Sequence, residues 1–245
     1  MLIFCGGMLR SGSTLQYQLA SRIVELRGIG KRVTWYGPSE LAEVIKTYIP
    51  VEDYVVFKTH ALNSTIIELF EEETARGLYI YRDIRDVVVS VMRKDCKGFE
   101  EVFPATIISA LSLFAQWTSQ VQVMVSRYED VIEDIETETT RIAKHLGIPL
   151  SISEAKLIAS EHTLERQKER IQEARSDPSR LITNNDTTFD SWSLLHLNHI
   201  TSGRVGEWKH ILTSEQICLI ENIAEEWLDK QGYQQSTHSL QDATR

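Results

Sequence analysis

The nine residues Gly6-Gly7-Met8-Leu9-Arg10-Ser11-Gly12-Ser13-Thr14 follow the apolar run Leu2-Ile3-Phe4-Cys5. A short apolar run that breaks into glycines and hydroxyls before a helical pattern aims successive backbone N–H groups, and a helix N-terminus, at one point. That is the chemistry of anion binding. Arg10 adds a cation beside it. Further along, Lys58-Thr59-His60 and Arg82-Asp83-Ile84-Arg85-Asp86 each follow a short apolar run. Metal chemistry has no such signature. His145, His162, His196, His199, His210 and His238 show no ligand spacing, and Cys5, Cys96 and Cys218 lie far apart.

The elements that would position these residues can be read from periodicity. Leu15, Leu19, Ile23 and Leu26 form a helical stripe ended by Gly28. The spacing Gly7-x4-Gly12-Ser13-Thr14 comes close to the nucleotide-binding P-loop, with a serine where that loop has its lysine. Arg32–Tyr36 reads as a strand, and Gly37-Pro38-Ser39 starts a helix to about Tyr48. Tyr54–Phe57 reads as a buried strand, Ser64–Thr74 as a helix closed by Gly77, and Leu78–Tyr81 as a strand. Val87–Lys94 starts the next helix, Val102–Thr118 is a long one, and Val121–Val125 is the last central strand. Ile132–Leu146 is a helix stopped by Gly147 and Pro149, and Ser153–Glu173 is a charged helix with a solvated face. Ser176–Asn198 lacks periodicity and reads as a long loop, followed by a last helix from Ser214 to Lys230.

Alternating short strands and helices predict an α/β fold with a parallel central sheet flanked by helices on both faces. Such sheets gather ligands at the carboxyl ends of their strands, where Arg10, His60 and Arg82 stand. Residues 1–233 read as a single domain and the tail from Gln234 as disordered. Hydrophobic content of 42% and charged content of 25% are those of a globular chain. The formal charge of −9 argues against a nucleic-acid partner. The scattered cysteines suggest a reducing compartment. The sequence shows neither a signal peptide nor a stretch of transmembrane length, so a cytoplasmic location with no integral membrane span is expected.

Four ordered motifs resemble those of sulfotransferases that use 3′-phosphoadenosine-5′-phosphosulfate (PAPS), in particular cytosolic and bacterial-type members. Arg10-Ser11-Gly12-Ser13-Thr14 is similar to the family's loop for the 5′-phosphosulfate, usually Lys-Ser-Gly-Thr-Thr; arginine keeps the charge and adds a planar fork. The segment Tyr81-Arg82-Asp83-Ile84-Arg85-Asp86-Val87-Val88-Val89-Ser90 resembles the 3′-phosphate segment, which implies that Arg82 and Ser90 hold that group. Lys58-Thr59-His60 matches a segment whose histidine is the general base in the cytosolic branch and whose lysine supports the transferring group. Gly203-Arg204-Val205-Gly206-Glu207-Trp208-Lys209 is similar to the C-terminal Gly-x-x-Gly-Asp-Trp-Lys. Tyr128 matches a tyrosine that approaches the adenine, and Thr187-Thr188-Phe189 resembles a further adenine-facing segment.

The resemblance implies a P-loop NTPase-like sulfotransferase fold. It also implies transfer of a sulfuryl group from PAPS to an acceptor hydroxyl or amine, leaving 3′,5′-adenosine bisphosphate. Arg10, Lys58 and His60 would be catalytic. Arg10, Ser11, Gly12, Ser13, Thr14, Arg82, Ser90, Tyr128, Thr188, Phe189, Gly203 and Arg204 would bind the donor. The acceptor would be a small molecule, a carbohydrate or a lipid, in a pocket lined by Ser176–Asn198 and Asp95–Pro104. Two departures stand out. Leu15 occupies the place of an adenine-stacking tryptophan, and Thr201-Ser202 replace the Arg-Lys pair before Gly203, for which Arg204 could substitute. Trp208 reads equally well as a core aromatic. The rival readings are an ATP-dependent P-loop kinase with Asp83 as magnesium ligand, and a non-catalytic nucleotide-binding module.

Overall fold

The apolar runs pair side by side in a computed structural model that describes residues 1–36, 38–184, 187–198, 200 and 203–236. Strand β1 (Leu2–Gly7) lies at the centre, between β3 (Tyr54–Lys58) and β4 (Ala75–Tyr81). Strands β2 (Gly30–Arg32) and β5 (Val123–Arg127) form the edges, and all four pairings are parallel, in the order β2-β3-β1-β4-β5. Successive side chains of a strand point to opposite faces, and here both faces are buried. Leu2, Phe4, Val55, Phe57 and Tyr79 belong to one apolar cluster, whereas Ile3, Cys5, Val56 and Leu78 belong to another. This two-sided burial explains why the strands read as continuous apolar runs.

Helix α1 (Ser13–Leu26) covers the second face together with α8 (Ile135–His145) and α9 (Ile152–Ser160), through Leu19, Ile23, Ile142 and Ile158. The first face is covered by α2 (Pro38–Tyr48), α3 (Ser64–Glu71), α4 (Ile84–Asp95), α6 (Ala105–Thr118) and α12 (Ser214–Lys230). Trp117 of α6 is fully buried against β1, where a Cβ at Gly6 would come within 2.6 Å of its ring. Gly6 is therefore required by packing rather than by the loop. The connection after β1 runs toward β2 and the one after β4 runs toward β5, so a crevice opens between the ends of β1 and β4.

Several boundaries differ from the sequence reading, each for a local reason. The second strand is Gly30–Arg32 rather than Arg32–Tyr36, because its register with β3 ends at Arg32↔Val56. Gly77 does not close α3. It lies inside β4, where a Cβ would meet Val123 at 2.5 Å, and the turn after α3 falls to Glu73 at φ 57°. The expected Val102–Thr118 helix is divided into α5 (Phe99–Val102) and α6, since Pro104 lacks the N–H that a continuous helix needs. Asp134 likewise separates α7 (Tyr128–Glu133) from α8, its carboxylate accepting the amide of Thr137. The charged stretch is two helices, α9 and α10 (Leu164–Ser176), with Thr163 capping the second through the amide of Arg166.

The Ser176–Asn198 loop contains an antiparallel hairpin, β6 (Leu181–Asn184) and β7 (Thr187–Asp190), with Leu181 opposite Asp190. A short helix α11 (Trp208–Ile211) precedes α12. Of the expected tail, Ser236 donates its amide to Glu221 at 3.0 Å, and residues 237–245 lie outside the described residues. Gly37, Asn185, His199, Thr201, Ser202 and His238 also lie outside them. Among the described residues no single helix is long and apolar enough to cross a membrane.

Candidate active site

The loop between β1 and α1 is held by its own side chains. Ser11 is fully buried and donates its hydroxyl to the carbonyls of Met8 (2.6 Å) and Ile80 (2.8 Å). Ser11 thus shapes the loop, and its hydroxyl is committed to backbone. Two residues adopt left-handed backbone: Arg10 at φ 66° and Gly12 at φ 91°. The strain at Arg10 is the kind stored at functional sites. A Cβ at Gly12 would meet the Tyr128 ring at 2.8 Å, so the glycine serves both conformation and contact. Helix α1 starts at Ser13 with no side-chain cap, which leaves the amides of its first turn facing the crevice mouth. Thr14 is buried, and its Oγ1 has no partner among the described residues.

Arg10 and the β4 segment meet directly. Arg10 Nε donates to Ser90 Oγ at 2.9 Å. Ser90 lies on α4, which begins at Ile84 because Asp83 accepts the amide of Arg85. Arg82, 6% exposed, donates to Asp86 Oδ2 at 3.2 Å and to the carbonyl of Arg204 at 2.6 Å, and lies 4.5 Å from the Tyr128 ring centroid. Its Nε has no partner among the described residues. Burial, with Arg82 nearby, pushes the Arg10 guanidinium down to about 10. Cations crowded this closely, beside an orphaned donor and open helix amides, fit an anion.

Asp86 joins this segment to the C-terminal motif, accepting the amides of Gly206 at 2.7 Å and Trp208 at 3.1 Å. Tyr128 donates its hydroxyl to the carbonyl of Gly203 at 3.2 Å. Arg204 reaches the site through its backbone carbonyl, and its side chain is exposed. Trp208 packs under the Arg85 guanidinium, 3.9 Å from its ring centroid, as a core aromatic.

A cavity of about 260 Å³ runs from the cations into the protein. Arg10, Arg82, Ser90 and Arg93 line it, with Arg93 paired to Glu207 at 2.5 Å. Thr14, Gly12, Tyr128 and Gly203 also line it. Its lining also includes the apolar side chains of Leu15, Ile132, Ile135, Leu164 and Leu195. Thr188 and Phe189 do not reach the cavity wall. They belong to the β6–β7 hairpin, where Thr188 meets Thr183 at 3.0 Å and Phe189 packs against His196 with ring centroids 5.6 Å apart. The sequence reading missed Arg93, His162, Leu164 and Gln167, which do line it.

His60 and Lys58 stand on the opposite side of the loop, at the end of β3. His60 is half-buried, and its Nδ1 donates to the carbonyl of Gly7 at 2.8 Å. Because a carbonyl only accepts, Nδ1 carries the proton and Nε2 keeps a lone pair. The Trp117 indole donates to the His60 carbonyl at 3.2 Å, fixing the backbone beneath. Lys58 is buried and makes no hydrogen bond or ion pair among the described residues. Burial pushes its ammonium down to about 8, opposed by Cys5 and assisted by Arg10. His196, also missed in the sequence, is close enough to feel the charges of Lys58, Lys94, Arg10 and His60.

These environments have a consequence for acid stability. Burial first, and nearby cations or the Lys58 charge second, push His60 and His196 down to about 4; burial does the same to His162. Unfolding returns each to its usual value of 6.5. Between those values the unfolded chain takes up protons that the folded chain refuses, so stability falls as pH drops through this window. Thermal melts should show a steady loss of Tm from pH 6.5 to 4, smaller in His162→Gln. A Tm independent of pH across that range would contradict the buried neutral histidines.

Residues 4–232 match the sequence profile of the sulfotransferase domain, and the chain belongs to that family. It is 24% identical over 194 residues to cytosolic sulfotransferase 3 of Arabidopsis thaliana, covering 71% of this chain and 59% of that protein. The chain thus spans less than two thirds of the length of that relative. Among solved structures it is similar to mouse sulfotransferase SULT7A1 complexed with PAP, with a TM-score of 0.69 and 16% identity over 93% of this chain and 83% of that one. It is also similar to retinol dehydratase in complex with androsterone and the inactive cofactor PAP, with a TM-score of 0.65 and 17% identity over 93% and 80%. The fold is therefore the P-loop-like sulfotransferase fold, with its parallel five-stranded sheet covered on both faces.

Proposed function

We propose that this chain transfers a sulfuryl group from PAPS to the hydroxyl or amine of an acceptor. The observation that carries the reading is the Arg10–Ser90 contact, which joins the two anion-binding segments at the mouth of the cavity while His60 is tied to the same loop through Gly7. PAPS, when bound, supplies an activated sulfuryl group whose S–O bond to phosphate breaks as the acceptor oxygen or nitrogen bonds to sulfur. The amides of α1, Ser13, Thr14 and Arg10 would hold the 5′ end and stabilise charge on the leaving phosphate. Arg82 and Ser90 would hold the 3′-phosphate. His60 Nε2 would take the acceptor proton, and Lys58 would place its ammonium near the transferring group. Gly203 and Tyr128 would close the donor pocket through their mutual hydrogen bond.

The kinase reading loses its metal ligand. Both oxygens of Asp83 are committed to Arg85, through its amide and Nε at 3.0 Å and its Nη2 at 2.8 Å. The relatives named cytosolic support a cytoplasmic location, and the androsterone complex supports a small-molecule acceptor. The test is transfer of label from PAPS to a panel of phenols, alcohols and amines, preceded by magnesium-free calorimetry with 3′,5′-adenosine bisphosphate. Binding followed by turnover is the expected result. Binding without turnover on any acceptor would favour a non-catalytic module, and no binding would overturn the reading.

A further inference from the structure

Along one face of α1, Gln18, Arg22 and Glu25 follow one another at helical spacing, and each reaches a different part of the chain. Gln18 accepts from Gln167 of α10 at 2.7 Å and donates to the carbonyl of Ser193 at 2.8 Å. Arg22 occupies both oxygens of Glu161, at 2.7 and 2.9 Å. Glu25 receives two bonds of 2.6 Å from Arg32 of β2, and Arg32 Nη1 donates to the carbonyl of Trp192 at 3.3 Å. These contacts gather α10, the end of β2 and the turn at Trp192 onto one stretch of surface.

Trp192 is 50% exposed, yet its ring is held in place. The Arg32 guanidinium stands 3.9 Å from the ring centroid, and the Asp190 carboxylate closes the turn on the amide of Ser193 at 2.8 Å. An exposed indole on a fixed turn offers apolar contact area at little cost in entropy. The cations around it are mostly neutralised: Arg22 by Glu161, Arg32 by Glu25 and Arg166 by Glu169. Arg170 is the exception. It lies one turn beyond Gln167 on the same face of α10, half-buried, and makes no hydrogen bond or ion pair among the described residues. Burial lowers its guanidinium, opposed by Glu161 and Glu173 and assisted by Arg32, the same side chain that covers Trp192. Glu161 has no oxygen left for it, since Arg22 holds both.

We infer that Arg170 and Trp192 form a second ligand site, for a small ring-bearing monoanion whose head group is a carboxylate or a sulfate monoester. Neither residue lines the cavity of the candidate active site. The guanidinium of Arg170 pairs with two oxygens of either head group, and the ring of the ligand covers the indole. One free cation matches one negative charge. A neutral ring leaves Arg170 unmatched, and inorganic sulfate leaves the indole bare. The site does not depend on the donor reading. A sulfate monoester is the class of product that the proposed transfer would release and a ring carboxylate is not, so the preferred head group decides which of the two sources the site serves.

The experiment labels the five tryptophans of the whole chain with 5-fluorotryptophan, and Trp192→Phe assigns the fluorine resonance of Trp192. The labelled chain is titrated with 1-naphthyl sulfate, 1-naphthoate, 1-naphthol and inorganic sulfate. At least one naphthyl anion should move the Trp192 resonance saturably, at concentrations roughly tenfold below those that naphthol or inorganic sulfate requires. Arg170→Gln should erase most of that preference and leave the naphthol titration unchanged. The resonance reports on Trp192 whether or not a ligand also enters the candidate active site, so failure here and failure of the donor reading are told apart. A Trp192 resonance that neither anion moves more readily than naphthol does would overturn the site. A preference for the anions that survives Arg170→Gln would overturn it as well.

Discussion

Replacing His60 by alanine should lower turnover roughly 10²–10⁴-fold, the usual contribution of a positioned general base, while 3′,5′-adenosine bisphosphate still binds. The geometry makes the expectation specific. Nδ1 is tied to the Gly7 carbonyl at 2.8 Å, so the ring presents a fixed Nε2 lone pair. With its value held near 4, His60 remains neutral in the free enzyme well below pH 6, and the acid limb of kcat/KM should lie below the usual histidine range. Single-turnover rates and calorimetry on the same preparation separate chemistry from donor binding. Turnover within about threefold of wild type would assign proton removal to another group.

The second large effect concerns Arg82. Arg82→Ala should weaken binding of 3′,5′-adenosine bisphosphate by about 2–5 kcal/mol, and barely change the weaker binding of adenosine 5′-phosphate. The substitution also releases the Arg204 carbonyl and one of the donors to Asp86. That disturbance acts on both ligands alike, whereas the 3′-phosphate contact acts on one. The difference between the two losses is the coupling. Equal losses would make Arg82 a brace for the Gly203–Trp208 segment, with no direct part in reading the phosphate.

The central strands β1, β3 and β4 were legible in the sequence because they are buried on both faces. Helix continuity was less so. Pro104 and Asp134 each interrupt an apolar periodicity that continues across the break, so a pattern of period 3.6 spans two helices. The hairpin was not legible because Leu181–Thr183 and Thr187–Phe189 are short and no glycine stands between them. Arg10, His60 and Arg82 were recoverable from their positions after strands. His162 and Gln167 were not, because His162 lies in the turn between α9 and α10, and Gln167 sits on the buried side of a charged helix that only its bond to Gln18 of α1 turns inward. Thr188 and Phe189 lie on the β6–β7 hairpin and do not line the cavity.

The Asp86 carboxylate closes a loop in time as well as in space. Its two amide partners stand 120 and 122 residues later in the chain. At synthesis rates of about 5–20 residues per second, roughly 6–25 s separate Asp86 from Trp208 on the ribosome. During that interval β1, its loop and α4 exist, but the strap that supplies the Arg204 carbonyl and the Gly203 contact to Tyr128 does not. Contacts of such long sequence separation form late. The cavity that this strap helps to wall is therefore incomplete until nearly the whole chain has emerged.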